Sequence, residues 1–423
     1  MCLIVLLLSV LPGLANAQRV AVRAGKLLDV KSGQLLEDRV VFIENGDITA
    51  VTPFSQYKAE PGVQMIDLGR NKTLLPGLID SHVHVTFASN GTTTGWMLTS
   101  PSRAALQGAR NARTLLEAGF TTVRNVGAIQ YSDVALRDAI DAGDVPGPRM
   151  LTAANSICIT GGHCDFSTAL PPEMKVEGDG AADGPVSMEQ KVREQIKYGA
   201  DLIKITATGG VMSARTDPRF PHMTLEEIQA VVKTAHGLGR KVAAHAHAAE
   251  GVKRSVEAGV DSIEHGHMMD DAAIALMKAK GTYLVPTVYL CEYNIANLAQ
   301  SPMPEFNKRK MKLVCDVGVD NARKAIQAGV KIAFGTDTPV FPHGMNAREF
   351  ATLVRLGMTP LAAIRSATLN AADLLGTSDK MGAIEVGKYA DLVAVDGNPL
   401  ENIKLLEDVK FVMKGGAVIR HSN

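Results

Sequence analysis

The sequence predicts an α/β fold, a (β/α)8 (TIM) barrel that carries a small β-sandwich built from both ends of the chain. Two observations predict the barrel: a helix-to-strand junction that recurs along the middle of the chain, and eight strand candidates in the same region. A third observation, alternating apolar and polar runs at both ends, predicts the sandwich. With 423 residues, the chain is long enough for one large domain and one smaller domain.

The first 17 residues differ in composition from the rest of the chain. Residues 3–14, "LIVLLLSVLPGL", are apolar but too short to span a bilayer, and Ala15-Asn16-Ala17 has the small-residue pattern of a signal cleavage site. We therefore predict a signal peptide over 1–17 and a periplasmic or secreted protein without a stable membrane anchor. A buried first strand or an anchor is the alternative, since the usual basic segment is missing.

Two stretches at the chain ends predict the sandwich. Residues 18–72 contain "DRVVFIENGDITAVTP", in which Asn45-Gly46-Asp47 is typical of a hairpin turn. Residues 382–423 contain the similar runs "GAIEVGKYADLVAVDG" and "VKFVMKGGAVIR". We predict that the two stretches pair with each other.

Between them, residues 73–381 predict the barrel. Helix-like segments end at a glycine and lead into a β-branched or apolar run in "EAGFTTV", "KYGADLI", "GLGRKVA", "EAGVDSI", "KAKGTYL" and "QAGVKIA". With "TLLPGLID" and "PRMLTAA", the strand candidates lie near residues 74, 120, 149, 202, 241, 261, 282 and 331. A doubly wound sheet is the alternative, but it favours a glycine-rich phosphate loop where this chain has His-x-His.

Composition argues against a nucleic-acid partner. Lys plus Arg and Asp plus Glu both number 44, and aromatic residues make up only 4%, so neither a basic stripe nor an array of stacking rings is expected. The five cysteines contain no C-x-x-C pair, which argues against a thiolate metal knot. Export would permit disulfides, but the pairing is open.

Ionisable side chains gather at the predicted carboxyl ends of five barrel strands, where (β/α)8 barrels place their chemistry. Side chains two residues apart on a strand share a face, so the two histidines of "SHVHV" would lie side by side. The full set is His82 and His84 at strand one, Lys204 at strand four, His245 and His247 at strand five, His265 and His267 at strand six, and Asp337 at strand eight.

Convergence on a cation would explain this set, because unpaired buried charges are costly. Imidazoles with a carboxylate and no thiolate suit Zn²⁺ or another divalent first-row ion. Lys204 has two readings. Its neutral amine can react with CO2 to give a carbamate that bridges two metals, or its ammonium can pair with an acid inside the barrel.

These motifs resemble those of the amidohydrolase superfamily, metal-dependent hydrolases that share "PGLID-x-H-x-H", a Lys or Glu on strand four, His on strands five and six, and Asp on strand eight. The resemblance covers residues 19 onward, including "GKYADLVAVDGNP". It implies two Zn²⁺ ions per subunit and a bridging hydroxide that attacks the scissile carbonyl. The implied ligands are His82, His84 and Asp337 for one ion, and His245 and His265 for the other, with carboxylated Lys204 between them. Asp337 would also be the catalytic proton shuttle.

Within the superfamily, the chain is most similar to Xaa-Pro dipeptidases, Xaa-Arg/Lys carboxypeptidases and bacterial amidohydrolases that split ochratoxin A into its isocoumarin acid and phenylalanine. "GFTTVRNVG", "TGGHCDF", "IKITATGGVMS", "AAHAHAAEG" and "GTDTPVFPHG" carry this likeness. Each of those substrates is an amide whose leaving amine is an amino acid with a free carboxylate. The resemblance therefore implies a small-molecule N-acyl amino acid or dipeptide as the substrate.

Five residues are candidates for binding that substrate: His163, Tyr289, Arg124, His247 and His267. For Arg124 an ion pair inside the barrel is an equal alternative, and Tyr289 can instead cap the pocket wall. Plain packing is the alternative for His247 and His267. Apolar neighbours favour a hydrophobic leaving residue such as Phe or Pro; they are Val211, Met212, Val288 and Leu290.

Two other functions stay open at this point. The same superfamily also hydrolyses or deaminates cyclic amides and heterocycles. The second alternative is a metal-dependent binding protein without catalysis, but the intact Asp337 argues against it. By resemblance we also expect a homo-oligomer, an octamer being one candidate.

Overall fold

The computed structural model describes residues 19–89, 91–174 and 178–422, so the predicted signal peptide lies outside the described residues. The strands in these ranges are β1 (Arg19–Asp29), β2 (Gln34–Glu44), β3 (Asp47–Pro53), β4 (Val63–Asp67), β5 (Lys72–Pro76), β6 (Leu78–Val83), β7 (Phe120–Asn125), β8 (Arg149–Thr152), β9 (Leu202–Thr206), β10 (Lys241–Ala248), β11 (Ser262–Met268), β12 (Tyr283–Val285), β13 (Leu392–Asp396), β14 (Phe411–Lys414) and β15 (Ala417–His421).

The α-helices in the same ranges alternate with the middle strands. They are α1 (Thr93–Met97), α2 (Pro101–Glu117), α3 (Ser132–Ala142), α4 (Gly184–Lys197), α5 (Leu225–Gly237), α6 (Ala249–Ala258), α7 (Asp271–Lys280), α8 (Tyr289–Ala296), α9 (Glu305–Ala328), α10 (Arg348–Arg355), α11 (Pro360–Ser366) and α12 (Leu369–Leu375). Among the described helices, we find none whose length and apolar content would let it cross a bilayer.

The middle strands form a parallel arrangement of the TIM-barrel type. Strands β6, β7 and β8 pair in one parallel sheet, and β9 to β12 pair in another. Three parallel bridges connect the two sheets into a ring: Ile157 with Ile205, Leu284 with Ile332, and Val83 with Thr338. The predicted α/β class is therefore confirmed, in a TIM-barrel-like arrangement whose eighth strand is reduced to isolated bridges near its predicted position at 331.

The first barrel strand does not lie where the sequence placed it. Residues near 74 belong to β5, which pairs with β1 and β13 outside the ring, and the first barrel strand is β6. The chain changes sheets at Pro76-Gly77, where the Gly77 amide donates to the Asp391 carbonyl (2.7 Å). A side chain at Gly77 would begin 2.1 Å from the Thr121 hydroxyl, so only glycine fits at this step.

The glycine junctions that predicted the barrel adopt the expected backbone. All six have positive φ, between 70° and 103°, which is the left-handed conformation that ends helices. They are Gly119, Gly199, Gly239, Gly259, Gly281 and Gly329.

Strands from both chain ends pair in one eight-stranded sheet, in the order β15-β14-β13-β5-β1-β2-β3 with β4 also on β1. The link between the ends is the antiparallel pairing of β5 with β13. The β2–β3 hairpin turns at Asn45-Gly46, which both have positive φ, as the sequence predicted. The division into two layers and the domain boundaries at 72 and 382 stay predictions.

Candidate active site

The ionisable residues that end the barrel strands line one cavity of about 570 Å³. Parallel strands bring their carboxyl ends to one rim of the barrel, so residues far apart in sequence meet there. The predicted site residues on the cavity wall are His82, His84, His163, Lys204, His245, His247, His265, His267 and Asp337.

Three of these residues come close enough to share a metal ion. Ligand atoms of His82, His265 and Asp337 all lie within 4.8 Å of one another. The Nε2 atoms of His82 and His84 lie 3.3 and 3.4 Å from Oδ1 of Asp337. The His245 ring centroid lies 4.8 Å from that of His265, so the predicted ligands of both ions form one continuous cluster.

Hydrogen bonds orient the imidazoles so that one ring nitrogen of each stays available. His82 Nδ1 donates to the Glu264 carboxylate (2.7 Å), and His84 Nδ1 donates to the Gly127 carbonyl (3.0 Å). His82 Nε2 is then a buried nitrogen without a hydrogen-bond partner in the described part of the chain. Such a pattern is typical of metal-binding histidines, whose second nitrogen is held by an oxygen acceptor.

The charge states fit metal ligands. Burial holds the pKa values of His245 and His265 well below the usual range, so both rings are neutral at neutral pH. Burial also lowers the pKa of Lys204 to about 8, although Glu264 and Asp337 oppose this shift. Burial alone would raise the pKa of Asp337, but the neighbouring His82 and His84 rings outweigh it and lower the pKa.

Two predicted ligands sit in strained backbone. His265 and Asp337 have φ of 74° and 62°, and Thr287, whose hydroxyl lies 2.8 Å from His265 Nδ1, has φ of 49°. Side chains with a Cβ avoid this region, and a branched threonine avoids it most. Strain of this kind concentrates at functional sites, where the surrounding structure stabilises it.

Comparison with known proteins identifies the family of the chain. The amidohydrolase family model matches residues 73–419. The chain belongs to the amidohydrolase family. It is therefore a hydrolase of C–N bonds, and this family is generally metal-dependent. The resemblance seen in the sequence is thus confirmed.

Relatives of this amidohydrolase include an ochratoxinase and dipeptidases of the prolidase type. The chain is 34% identical to an ochratoxinase of Aspergillus niger over 83% of this chain and 76% of the relative. A solved Xaa-Pro dipeptidase with methionine bound in its active site is 41% identical, with a TM-score of 0.88 over 95% of this chain and 99% of that one. A prolidase complexed with N-methylphosphonate-L-proline is 34% identical, with a TM-score of 0.88 over 96% and 100%.

Beneath the histidines of this amidohydrolase lies an ionic network whose carboxylate, Glu264, the sequence analysis missed. Arg124 Nη2 donates to Glu264 (2.7 Å), and its other nitrogens donate to the Ser81 carbonyl and the Ser262 hydroxyl. Burial would raise the pKa of Glu264, but Arg124 and His82 lower it to about 2. The structure thus places Arg124 in the barrel interior, the alternative left open above, and among the described residues it does not line the cavity.

His163 lies on the cavity wall in a loop closed by the Cys158–Cys164 disulfide. Its Nδ1 lies 2.8 Å from the Ser213 hydroxyl, and its ring centroid is 4.4 Å from that of His245. Burial lowers the pKa of His163 to about 3, so the ring is neutral and can donate one hydrogen bond.

The remaining substrate candidates separate into two locations. His247 and His267 line the cavity, and the Nδ1 atom of each is buried without a partner in the described ranges. Tyr289 is not among the described lining residues. Its hydroxyl accepts a hydrogen bond from Arg348 (3.0 Å), and its ring packs edge-on against Phe341.

A wall of aromatic rings extends the cavity outward from His84, and sequence analysis did not predict it. The Phe87 ring stacks 5.4 Å from His84 and 5.0 Å from Trp96, and Phe166 completes the group at 6.3 Å from both rings. All three aromatic residues line the cavity. We call this group the aromatic wall. Phe87, three residues after His84, was the one signal in the sequence.

Proposed function

We propose that this amidohydrolase is a binuclear metal enzyme that releases a C-terminal amino acid from neutral, apolar N-acyl amino acids or dipeptides. N-acyl-phenylalanines, ochratoxin A among them, are the substrates that the site favours most. The names of the relatives support this class, because an ochratoxinase and Xaa-Pro dipeptidases are among them. The proposal also specifies the leaving group, which is an amino acid with a free carboxylate.

The observation that carries the proposal is the lining of the cavity. Apart from the histidines, its charged side chains among the described residues are Lys204, Asp337 and Asp179, and most of the others are apolar. A substrate with a basic side chain would leave its charge largely unpaired there, which is costly. The aromatic wall instead offers stacking partners for a flat or apolar group.

The donor set fits two divalent ions, and Zn²⁺ suits it best because imidazole and carboxylate ligands dominate. His82, His84 and Asp337 would hold one ion, and His245 and His265 the other, with Lys204 between them as a carbamate. When bound, such ions polarise a carbonyl and activate water.

The protein's own groups would then handle the proton and the substrate. Asp337, kept ionised by its two histidine neighbours, takes a proton at its carboxylate and delivers it to the leaving amine. His163 donates a hydrogen bond to the substrate carboxylate from its cavity side, with the unpartnered nitrogen of His247 as a further contact. The neutral His267 already donates from Nε2 to the Pro286 carbonyl, so its free Nδ1 offers only an acceptor to the rest of the substrate.

A rate panel tests this function on the mature protein loaded with Zn²⁺. It compares N-acyl-phenylalanines, ochratoxin A, Xaa-Pro and Xaa-Arg dipeptides, and each compound with its C-terminus blocked as an amide. We expect turnover of the apolar free acids, a large loss on blocking, and slow reaction of Xaa-Arg. If blocking changes nothing, His163 does not bind a carboxylate. If only cyclic amides react, the heterocycle alternative replaces this proposal.

The single tryptophan of the chain gives a second readout that needs no turnover. Trp96 stands in the aromatic wall, so an apolar ligand there should change its fluorescence. We expect saturable quenching by benzoate, with Trp96→Phe as the blank. Unchanged emission, with binding detected calorimetrically, would place the ligand elsewhere.

Export and assembly remain proposals alongside the activity. The two disulfides, Cys158–Cys164 and Cys291–Cys315, support an oxidising compartment outside the cytoplasm. We propose that the exported protein forms a homo-oligomer, which light scattering of the purified mature chain would reveal.

A further inference from the structure

Helix α9 holds the loop of residues 209–217 through one ammonium group. Lys310 Nζ donates to the carbonyl oxygens of Gly210 (2.9 Å), Ser213 (2.5 Å) and Thr216 (3.1 Å). An ammonium has three N–H donors, so these bonds use all of them on a single loop. We call residues 209–217 the clamped loop.

A second side chain of α9 reinforces the clamp. Asn307, three residues before Lys310 on the same helix face, is buried and donates its amide to the Val211 carbonyl. Inside the loop, the Ser213 and Thr216 hydroxyls hydrogen-bond to each other. The loop therefore gains its shape from α9 rather than from regular secondary structure.

The clamped loop in turn fixes two rings of the site. The Ser213 hydroxyl binds His163 Nδ1 (2.8 Å), and the Gly209 carbonyl accepts from His245 Nε2 (3.3 Å). A Cβ at Gly210 would lie 2.3 Å from the His163 ring, so the loop backbone packs directly against it. Any shift of the loop would move both rings.

We propose that Lys310 is a positioning residue of the substrate site, which sets the His163 ring by clamping the loop that carries Ser213. Lys310 does not line the cavity among the described residues, so it acts through the loop and touches no substrate. This inference rests on the proposed function in one respect, the binding of the substrate carboxylate by His163.

Lys310→Met tests the clamp, because methionine keeps most of the side-chain length and leaves three carbonyls without their donor. Lys312→Met is the matched control on the same helix, since Lys312 is exposed and, within the described ranges, pairs only with Asp316 (3.0 Å). Amide hydrogen exchange by mass spectrometry then compares both variants with the parent. We expect faster exchange in K310M over 209–217 and over 158–164, and no change in K312M.

The kinetic arm compares an N-acyl-phenylalanine with its blocked amide. In K310M we expect KM for the free acid to rise about tenfold, as for loss of one charge-assisted hydrogen bond, with a smaller change in kcat. The blocked amide should lose far less. A general loss of folded enzyme would instead lower the rates with the free acid and with the blocked amide equally, so that the ratio of the two rates would not change.

Ser213→Ala provides a second route if K310M folds poorly. It removes only the hydroxyl between the loop and the His163 ring, and it should raise KM for the free acid. Adding K310M to this variant should raise that KM little further, because both changes act on the same contact. Unchanged KM in both variants, or faster exchange without any effect on 158–164, would overturn the proposal. If the parent hydrolyses no amide, the proposed function fails, and hydrogen exchange alone decides whether Lys310 clamps the loop onto His163.

Discussion

At the scale of single residues, the buried carboxylate of Glu264 connects the cavity to the barrel interior. Glu264→Gln keeps the shape but leaves the Arg124 guanidinium buried without its counter-charge. We expect the free energy of unfolding at neutral pH to fall by about 3 to 5 kcal/mol, as when one partner of a buried pair is removed. Denaturant unfolding measures it. Glu189→Gln, which removes an exposed pair with Arg193, should cost about 0.5 kcal/mol or less.

The pH dependence of the same variant has a definite sign. The pKa of Glu264 falls from 4.5 to about 2 in the folded protein, so its stabilising effect is complete above 4.5. That effect is lost as the pH falls from about 4.5 through about 2. The stability difference between the parent and E264Q should therefore shrink over this window. A difference that stays constant with pH would show that the Glu264 charge is not what stabilises the network.

The sequence predicted the residues at strand ends but not the contacts beneath them. His82, His84 and Asp337 follow apolar runs, so their place at the rim came directly from the barrel rule. Glu264 stands between an apolar residue and His265, where strand alternation alone gives it no partner. Its partner Arg124 lies on a strand that is remote in sequence, and only the closed ring brings the two together.

At the scale of elements, one disulfide should contribute more to stability and the other more to activity. Cys158–Cys164 spans 6 residues and carries His163, whereas Cys291–Cys315 spans 24 residues and connects α8 to α9. Chain entropy gives the longer closure about 3.5 kcal/mol and the shorter about 2.2 kcal/mol. We expect Cys291→Ser/Cys315→Ser to lower Tm more. Cys158→Ser/Cys164→Ser should raise KM for free-carboxylate substrates more, because it frees the His163 loop.

Steady-state kinetics and calorimetry on the two double variants measure these differences in KM and Tm. Equal KM values in both would mean that the disulfide does not position His163. The Ser213 hydrogen bond would then be sufficient by itself.

Regular elements were predictable where a local signal exists. The glycine junctions located the helix ends, because the left-handed conformation after a helix depends on one residue. The first barrel strand was misplaced, since "TLLPGLID" is apolar on both sides of Pro76-Gly77 and the change of sheet has no periodicity of its own. The aromatic wall comes from a loop, a short α-helix and a short 3-10 helix (Phe166–Ala169), and only tertiary packing brings its rings together.

At the scale of the whole molecule, the proposed metal ligands come from five separate barrel segments. They belong to β6 and the residue after it, to β9, β10 and β11, and to the segment between the Ile332 and Thr338 bridges. Ions held there would connect strands on all sides of the ring. Ions that bind only the folded chain would stabilise it by about 4 kcal/mol at a thousandfold excess over Kd.

Chelation should therefore lower the Tm of the purified protein by about 5 °C, and added Zn²⁺ should restore it. Mg²⁺ should not substitute, because it prefers oxygen ligands and this cluster is mainly imidazole.

His265→Ala removes one of the three converging ligands and should shrink the Zn²⁺-dependent shift in Tm. His236→Ala, at an exposed histidine, should leave that shift unchanged. A Tm that stays unchanged after metal analysis shows complete removal would mean that the barrel closes without ions. The buried, unpartnered nitrogen of His82 would then need another ligand, since a desolvated polar atom left alone costs about 1 to 3 kcal/mol.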